Sequence, residues 1–343
     1  MEPLWWYPLG QLPPGVFDHL LFPLWPGCGR CPRIGRVLKI AQSLAGVGSK
    51  VFNEGMSQAE VNIPTVSLND GSEMPVLGFG TWNLEGAECI RAVREAIEVG
   101  YRHIDTAAIY KNEEAVGQAV REAIAAGDVT REELFITSKV WNNQQGDQEV
   151  QQAFQASLQR LDMEFIDCMM VHWPWPQRGL YVESYEALAK IQGLGQVRSI
   201  AVANFYPEVL KEIIQATGIA PVLNQVELHP GFSQAELRAV HKELGIVTEA
   251  RSPLGRGDLL KDPTIVGIAE ELEKTPAQVV LRWIVQLGCS AVPKSAQKQR
   301  QYENADIFTF ELSDAHMQAI TSMDDSGGRL FQSPFEFPGE VDA

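Results

Sequence analysis

From residue 62 onward the chain alternates between two spacings of apolar positions. Short apolar runs recur at 76–79, 102–105, 134–139, 166–172, 197–202, 222–226, 246–250 and 290–293. Runs this short, bounded by turn-forming residues, read as buried strands. Between them lie longer stretches whose apolar residues return at helical spacing: 86–99, 113–126, 147–162, 183–193, 206–217, 233–244 and 264–287, the last interrupted near Pro276. A final helical pair follows at 297–305 and 313–323. Ahead of the first run, TVSLNDGSEMPVLGFG carries Asn69-Asp70-Gly71 between two extended segments, which predicts a hairpin.

Eight strands, each followed by a helix over about 250 residues, suit an α/β chain folded as a (β/α)8 TIM barrel, here with an N-terminal β-hairpin cap. A doubly wound dinucleotide fold would need GxGxxG after its first strand. Gly78-Phe79-Gly80-Thr81 stops short of that pattern.

The first 55 residues depart from this rhythm. They hold seven of the 20 prolines and three of the 8 tryptophans. Arg30, Arg33, Arg36, Lys39 and Lys50 against Glu2, Asp18 and Glu54 give them a charge of +2, so with a total of −16 residues 56–343 carry −18. They lack the layout of a secretory signal. The expectation is an extension (1–55) that is disordered or outside the functional protein, with the working start at Met56 and the barrel spanning 56–343. A competing reading makes 33–48 a short basic amphipathic helix that touches a membrane surface.

Composition narrows the function classes. A balance of 28 Lys+Arg against 44 Asp+Glu opposes general affinity for nucleic acid or anionic lipid and suits a soluble cytoplasmic enzyme. No run approaches the ~18 apolar residues of a membrane span, so no stable membrane association is expected. Cys89, Cys168 and Cys289 fall in predicted helix or strand, where a thiol behaves as a small hydrophobe. Cys28 and Cys31 form an isolated pair without the second pair a zinc site needs, so no metal is expected.

Four polar residues then collect on one rim. Asp105 ends the second strand with Tyr110 just beyond it, Lys139 ends the third strand and His172 the fourth. In a parallel barrel these positions share the C-terminal face, where such enzymes place their sites. Alone, His172 reads as a structural histidine and Lys139 as a surface charge; their common placement is what points to chemistry. Reducing a carbonyl builds negative charge on its oxygen, and a phenol can supply the proton. An ordinary tyrosine with a pKa near ~10 yields it reluctantly, and a neighbouring Lys139 held by Asp105 is expected to lower that value. His172 would orient the carbonyl oxygen. Trp82, Trp141 and Trp173 follow strands one, three and four and would wall a dry substrate pocket.

A second signal lies near the C-terminus. VPKSAQKQRQYEN (292–304) presents Lys294, Ser295, Lys298 and Arg300, a basic cluster in an acidic chain. Beside a strand-to-helix turn, such a cluster suits a phosphate. The bland alternative is a solvated helix face.

Taken together, LGFGTW, GYRHIDTAAIYKNEEAVG, FITSKVWN, VHWP, NQVELHP, SPLGRG and VPKS with Arg300 and Glu303-Asn304 make residues 62–343 resemble an aldo-keto reductase. Within that family the chain is most similar to the bacterial 2,5-diketo-D-gluconate reductase branch, and the short GGRLFQSP tail agrees. The resemblance implies NADPH/NADP+ as cofactor and a small-molecule carbonyl substrate: aldehydes, dicarbonyls, and keto acids or keto sugars. It implies Tyr110 as general acid, tuned by Lys139 and Asp105, with His172 orienting substrate. It further implies Thr81, Trp82, Asn204, Gln225 and Arg251 near the nicotinamide, and Ser252, Leu254 and Gly255 of the Ser252–Gly257 loop on the pyrophosphate. Lys294, Ser295 and Arg300 would hold the 2′-phosphate, with Glu303 and Asn304 on the adenine. A single barrel needs no partner to bury its core, so a monomer is expected, and the short tail implies an open pocket.

Two departures stand out. The family's usual Ser-Asn pair is Ala203-Asn204 here, and Arg251 occupies a position where relatives carry an aromatic residue. A reductase disabled by these two changes is one alternative. A cofactor-sensing subunit with little turnover is another, and the intact set of four argues against it.

Overall fold

The structure, a computed structural model, describes residues 60–324 and 328–337; the expectations for 1–55, including Cys28, Cys31 and the 33–48 helix, lie outside the described residues. Strands β1 (Thr65–Ser67) and β2 (Glu73–Pro75) pair antiparallel with Val66 opposite Met74, as the hairpin reading requires. The Asp70 carboxylate accepts the Ser72 N–H at 2.9 Å, and Gly71 sits at φ 86°, a conformation that costs glycine little. Leu68 and Met74 from this hairpin pack on Phe135, Met170, Ala201 and Leu223, plugging the end of the barrel where strands begin.

Eight parallel strands follow: β3 (Phe79–Gly80), β4 (His103–Asp105), β5 (Phe135–Val140), β6 (Ile166–Val171), β7 (Val197–Ala203), β8 (Leu223–Glu227), β9 (Val247–Arg251) and β10 (Ser290–Ala291), hydrogen-bonded in chain order. The first and last meet through a parallel bridge from Leu77 to Ala291, the Gly78 N–H to Ala291 O (2.8 Å) and the Gly80 N–H to Pro293 O (3.0 Å), which closes the barrel. Glycine is required at this seam. A Cβ on Gly80 would fall 2.8 Å from Val292 O, and one on Gly78 would fall 2.6 Å from His103 Nδ1. Pro293 has no N–H to extend the ladder, so the run expected at 290–293 shortens to two residues.

The helices are α1 (Gly86–Val99), α2 (Glu113–Ala126), α3 (Asp147–Leu161), α4 (Tyr181–Gly193), α5 (Pro207–Thr217), α6 (Ala235–Leu244), α7 (Pro263–Glu271), α8 (Pro276–Gln286), α9 (Lys298–Ala305) and α10 (Asp314–Thr321). Their apolar faces and the outward faces of the strands form one continuous core. The interrupted stretch 264–287 is two helices. Thr275 is extended, as a residue before proline prefers, and its side chain and that of Gln278 form a capping box that starts α8 afresh. Helix α6 begins two residues late because Gln234 is left-handed at φ 54°, and Asp324 instead takes the Ser233 N–H at 2.9 Å. Cys89, Cys168 and Cys289 are free and buried.

Candidate active site

The inside of the barrel's C-terminal end is charged where a packed barrel would be apolar. Asp105, Lys139, Gln225 and Glu249 are all buried there. Lys139 ends with its Nζ 2.6 Å from Asp105 Oδ2 and 2.9 Å from Thr106 O, under the ring of Tyr110 at 5.3 Å. Burial alone would strip its proton, but Asp105 and then Tyr110 hold Lys139 above its ordinary range. Such a buried pair persists because each charge satisfies the other.

Tyr110 rides on a single turn of 3₁₀ helix (Ala108–Tyr110) after β4. The turn is pinned from both sides. Thr106 Oγ1 donates to Asn112 Oδ1 at 2.7 Å, and Asn112 Nδ2 donates to Thr81 O and Leu84 O, each at 2.9 Å. Burial pushes the Tyr110 phenol up, while Lys139 pulls it down, Asp105 raises it and Arg251 lowers it. The expected pull of Lys139 is present, yet desolvation outweighs it and the net direction is upward.

His172 stands beside the phenol, its ring edge-on to Tyr110 (centroids 5.9 Å) and to Trp141 (5.0 Å). Its carbonyl accepts from Asn204 Nδ2 at 2.9 Å. Burial, then the Lys139 and Arg251 cations, hold the imidazole well below its usual range, so it is neutral at physiological pH.

These groups open onto one cavity of about 1180 Å³. Asp105, Tyr110 and His172 line it together with Trp82, Trp141 and Trp173, and it continues past Asn204, Gln225, Arg251, Ser252 and Leu254 to Lys294, Ser295, Arg300, Glu303 and Asn304. Three expected residues are not on its wall. Lys139 lies beneath, Thr81 is buried with its hydroxyl on Asp105 O (2.9 Å), and Gly255 is buried against Leu259. Lys298 also turns away, pairing with Glu98 at 2.6 Å. Lys294 and Arg300 are exposed and have no carboxylate partner among the described residues. Unpaired cations at the end of a long cavity in so acidic a chain fit the phosphate groups of a dinucleotide.

A family model described as the aldo/keto reductase family matches residues 76–325. The chain belongs to that family. It is 47% identical over 278 residues to an aldo-keto reductase of Mycolicibacterium smegmatis, covering 80% of this chain and 99% of that one. It is similar to the crystal structure of Gox0644 (TM-score 0.76, 42% identity, 80% of this chain and 98% of that one); a variant of that protein has been solved in complex with NADPH. A Bombyx mori aldo-keto reductase in complex with NADP matches with TM-score 0.72 and 37% identity over 77% of this chain and 94% of that one.

The cavity of this aldo-keto reductase has lining residues beyond those expected: Ile109, Leu260, Thr275 to Ala277, Gln297, Phe331 and Phe337. The start of α8 was legible in principle, since Thr275-Pro276-Ala277-Gln278 is a capping-box sequence. The tail was not. Glu227 accepts the backbone N–H groups of Leu330 and Phe331, Phe337 stacks on Trp173 at 4.2 Å, and the Arg251 (4.4 Å) and Arg256 (4.3 Å) guanidiniums both lie over the Phe331 ring. Residues 328–337 thus reach the cavity and wall part of it. Arg251 is itself engaged: its Nε donates to Asn204 Oδ1 at 2.9 Å, and Glu227 lies 3.8 Å from its guanidinium.

Proposed function

We propose that this enzyme reduces carbonyl compounds with NADPH, using Tyr110 as proton donor. The observation that carries the reading is the buried Lys139–Asp105 pair directly under Tyr110 and beside a neutral His172, at the mouth of a cavity that runs on to Lys294 and Arg300. NADPH, when bound, supplies the hydride to the carbonyl carbon. As that bond forms, the C=O π pair moves onto oxygen, which takes the Tyr110 proton and becomes the alcohol. Lys139 faces the phenolate left behind and stabilises it. His172, being neutral, donates a ring N–H to the carbonyl oxygen and fixes which face is presented. Trp82, Trp141 and Trp173 exclude water from the reacting carbon. Lys294, Ser295 and Arg300 would hold the 2′-phosphate, Ser252 and Leu254 would flank the pyrophosphate, Glu303 and Asn304 would face the adenine, and Asn204 and Gln225 would meet the carboxamide.

The substrate class is aldehydes, dicarbonyls, and keto acids or keto sugars of the 2,5-diketo-D-gluconate type. Residues 56–343 carry the activity as a cytoplasmic monomer. No helix among the described residues is long and apolar enough to cross a membrane. The test is NADPH oxidation, followed by absorbance, against 2,5-diketo-D-gluconate, methylglyoxal, an aromatic aldehyde and a simple ketone, with NADH alongside. Turnover that prefers NADPH supports the reading; tight NADPH binding with no turnover on any carbonyl overturns it.

A further inference from the structure

The four reacting residues do not account for all the charge buried at the centre of the barrel. Glu249, on β9, is wholly inaccessible. Its Oε2 accepts from Gln225 Nε2 at 2.7 Å, and that same nitrogen donates to Asp105 Oδ2 at 2.9 Å. One amide thus ties two carboxylates together, and Asp105 passes the connection to Lys139 at 2.6 Å. The other Glu249 oxygen accepts from Ser290 Oγ at 3.3 Å and lies 3.8 Å from His103 Nδ1. His103 contributes no charge, because burial lowers it to about 4; its Nε2 is on Thr137 Oγ1 at 3.1 Å. From β6, Cys168 faces the same interior and is held protonated by burial and by Glu249. Two carboxylates, Asp105 and Glu249, therefore look at one cation, Lys139.

We propose that Glu249 is a positioning residue of this site, setting through Gln225 and Asp105 the negative charge against which Lys139 and Tyr110 hold their protons. The inference rests on the carbonyl-reductase reading above. Its physical basis is the shared amide. A carboxylate at Glu249 locks the Gln225 NH₂ between two acceptors, so the Gln225 carbonyl is presented to the cavity in one orientation. The same carboxylate leaves the buried set one charge more negative than the Asp105–Lys139 pair alone, which favours retained protons on Lys139 and Tyr110. Burial and then Asp105 push Glu249 up to about 7, so the extra charge is present above neutrality and withdrawn below it.

The decisive variant is Glu249→Gln, which keeps size and hydrogen-bonding capacity while removing the charge. With NADPH and an aldehyde, the alkaline limb of kcat/KM against pH is expected to move to lower pH by about one unit. Glu249→Asp is expected to restore it in part. A Glu249→Gln profile superimposable on that of the wild type overturns the proposal, whereas a wild type inactive on every carbonyl overturns the reductase reading instead. If the Gln variant does not fold, infrared titration of the wild type decides. An ionised buried carboxylate is expected at the alkaline end of the active range, and a buried carboxylic C=O band that persists at every pH where the enzyme turns over, leaving Glu249 without charge, overturns the inference.

Discussion

At the scale of single residues, the cluster of Asp105, Tyr110, Lys139 and His172 was legible because each sits at or just past a strand end, a position that barrel topology converts into shared location. Glu249 was equally visible in TEAR (248–251) as a carboxylate inside a run read as buried strand, but only the fold shows that it faces Asp105 through Gln225. Arg251 shows the opposite case. The sequence exposes it as a departure, while its effect depends on neighbours no spacing reveals: Asn204, Glu227 and Phe331. An oxidised nicotinamide is a cation, and Arg251 lies on the cavity wall with Glu227 offsetting part of its charge. Arg251→Trp is therefore expected to tighten NADP+ binding about three- to tenfold relative to NADPH, a partly compensated like-charge effect. Fluorescence titration with both cofactor forms measures this, and an unchanged ratio would show that Glu227 cancels the charge fully.

At the scale of elements, hydrophobic spacing located the strands and helices and failed mainly at their ends. Helix starts moved where a cap or a left-handed residue intervened, as at Gln234 and Thr275. The tail carried no periodic signal at all, since its contacts are aromatic rings and backbone N–H groups taken up by β8. Its anchor is the Glu227 carboxylate. Hydrogen bonds to a charged acceptor are worth roughly 1.5–3 kcal/mol, so Glu227→Ala should free the segment. The expected results are faster limited proteolysis within 328–337 and a substrate KM raised about tenfold or more, which follows from the same energy. Proteolysis and KM both equal to the wild type would mean that the aromatic contacts of Phe331, Phe335 and Phe337 suffice to hold the tail.

On the scale of the whole molecule, eight strand–helix repeats specified the barrel, and the acidic balance made the basic cluster at 294–300 conspicuous. What the chain alone did not reveal was which cations face inward. Lys298 pairs with Glu98 on the outside, while Lys294 and Arg300 border the cavity more than a domain core away from Asp105 in sequence. If those two read a 2′-phosphate, Arg300→Ala should weaken NADPH about ten- to hundredfold, the loss of a charge-assisted contact, and leave NADH nearly unchanged. Equal losses for both cofactors would place Arg300 in a general electrostatic role.

The central claim is that the Tyr110 phenol, set over Lys139 and Asp105, gives the proton. Single-turnover oxidation of bound NADPH by a reactive aldehyde, compared between the wild type and Tyr110→Phe, tests it most directly. The account predicts unchanged NADPH affinity and a chemical step slowed by about 10² to 10⁴. A variant that turns over at close to the wild-type rate would contradict it.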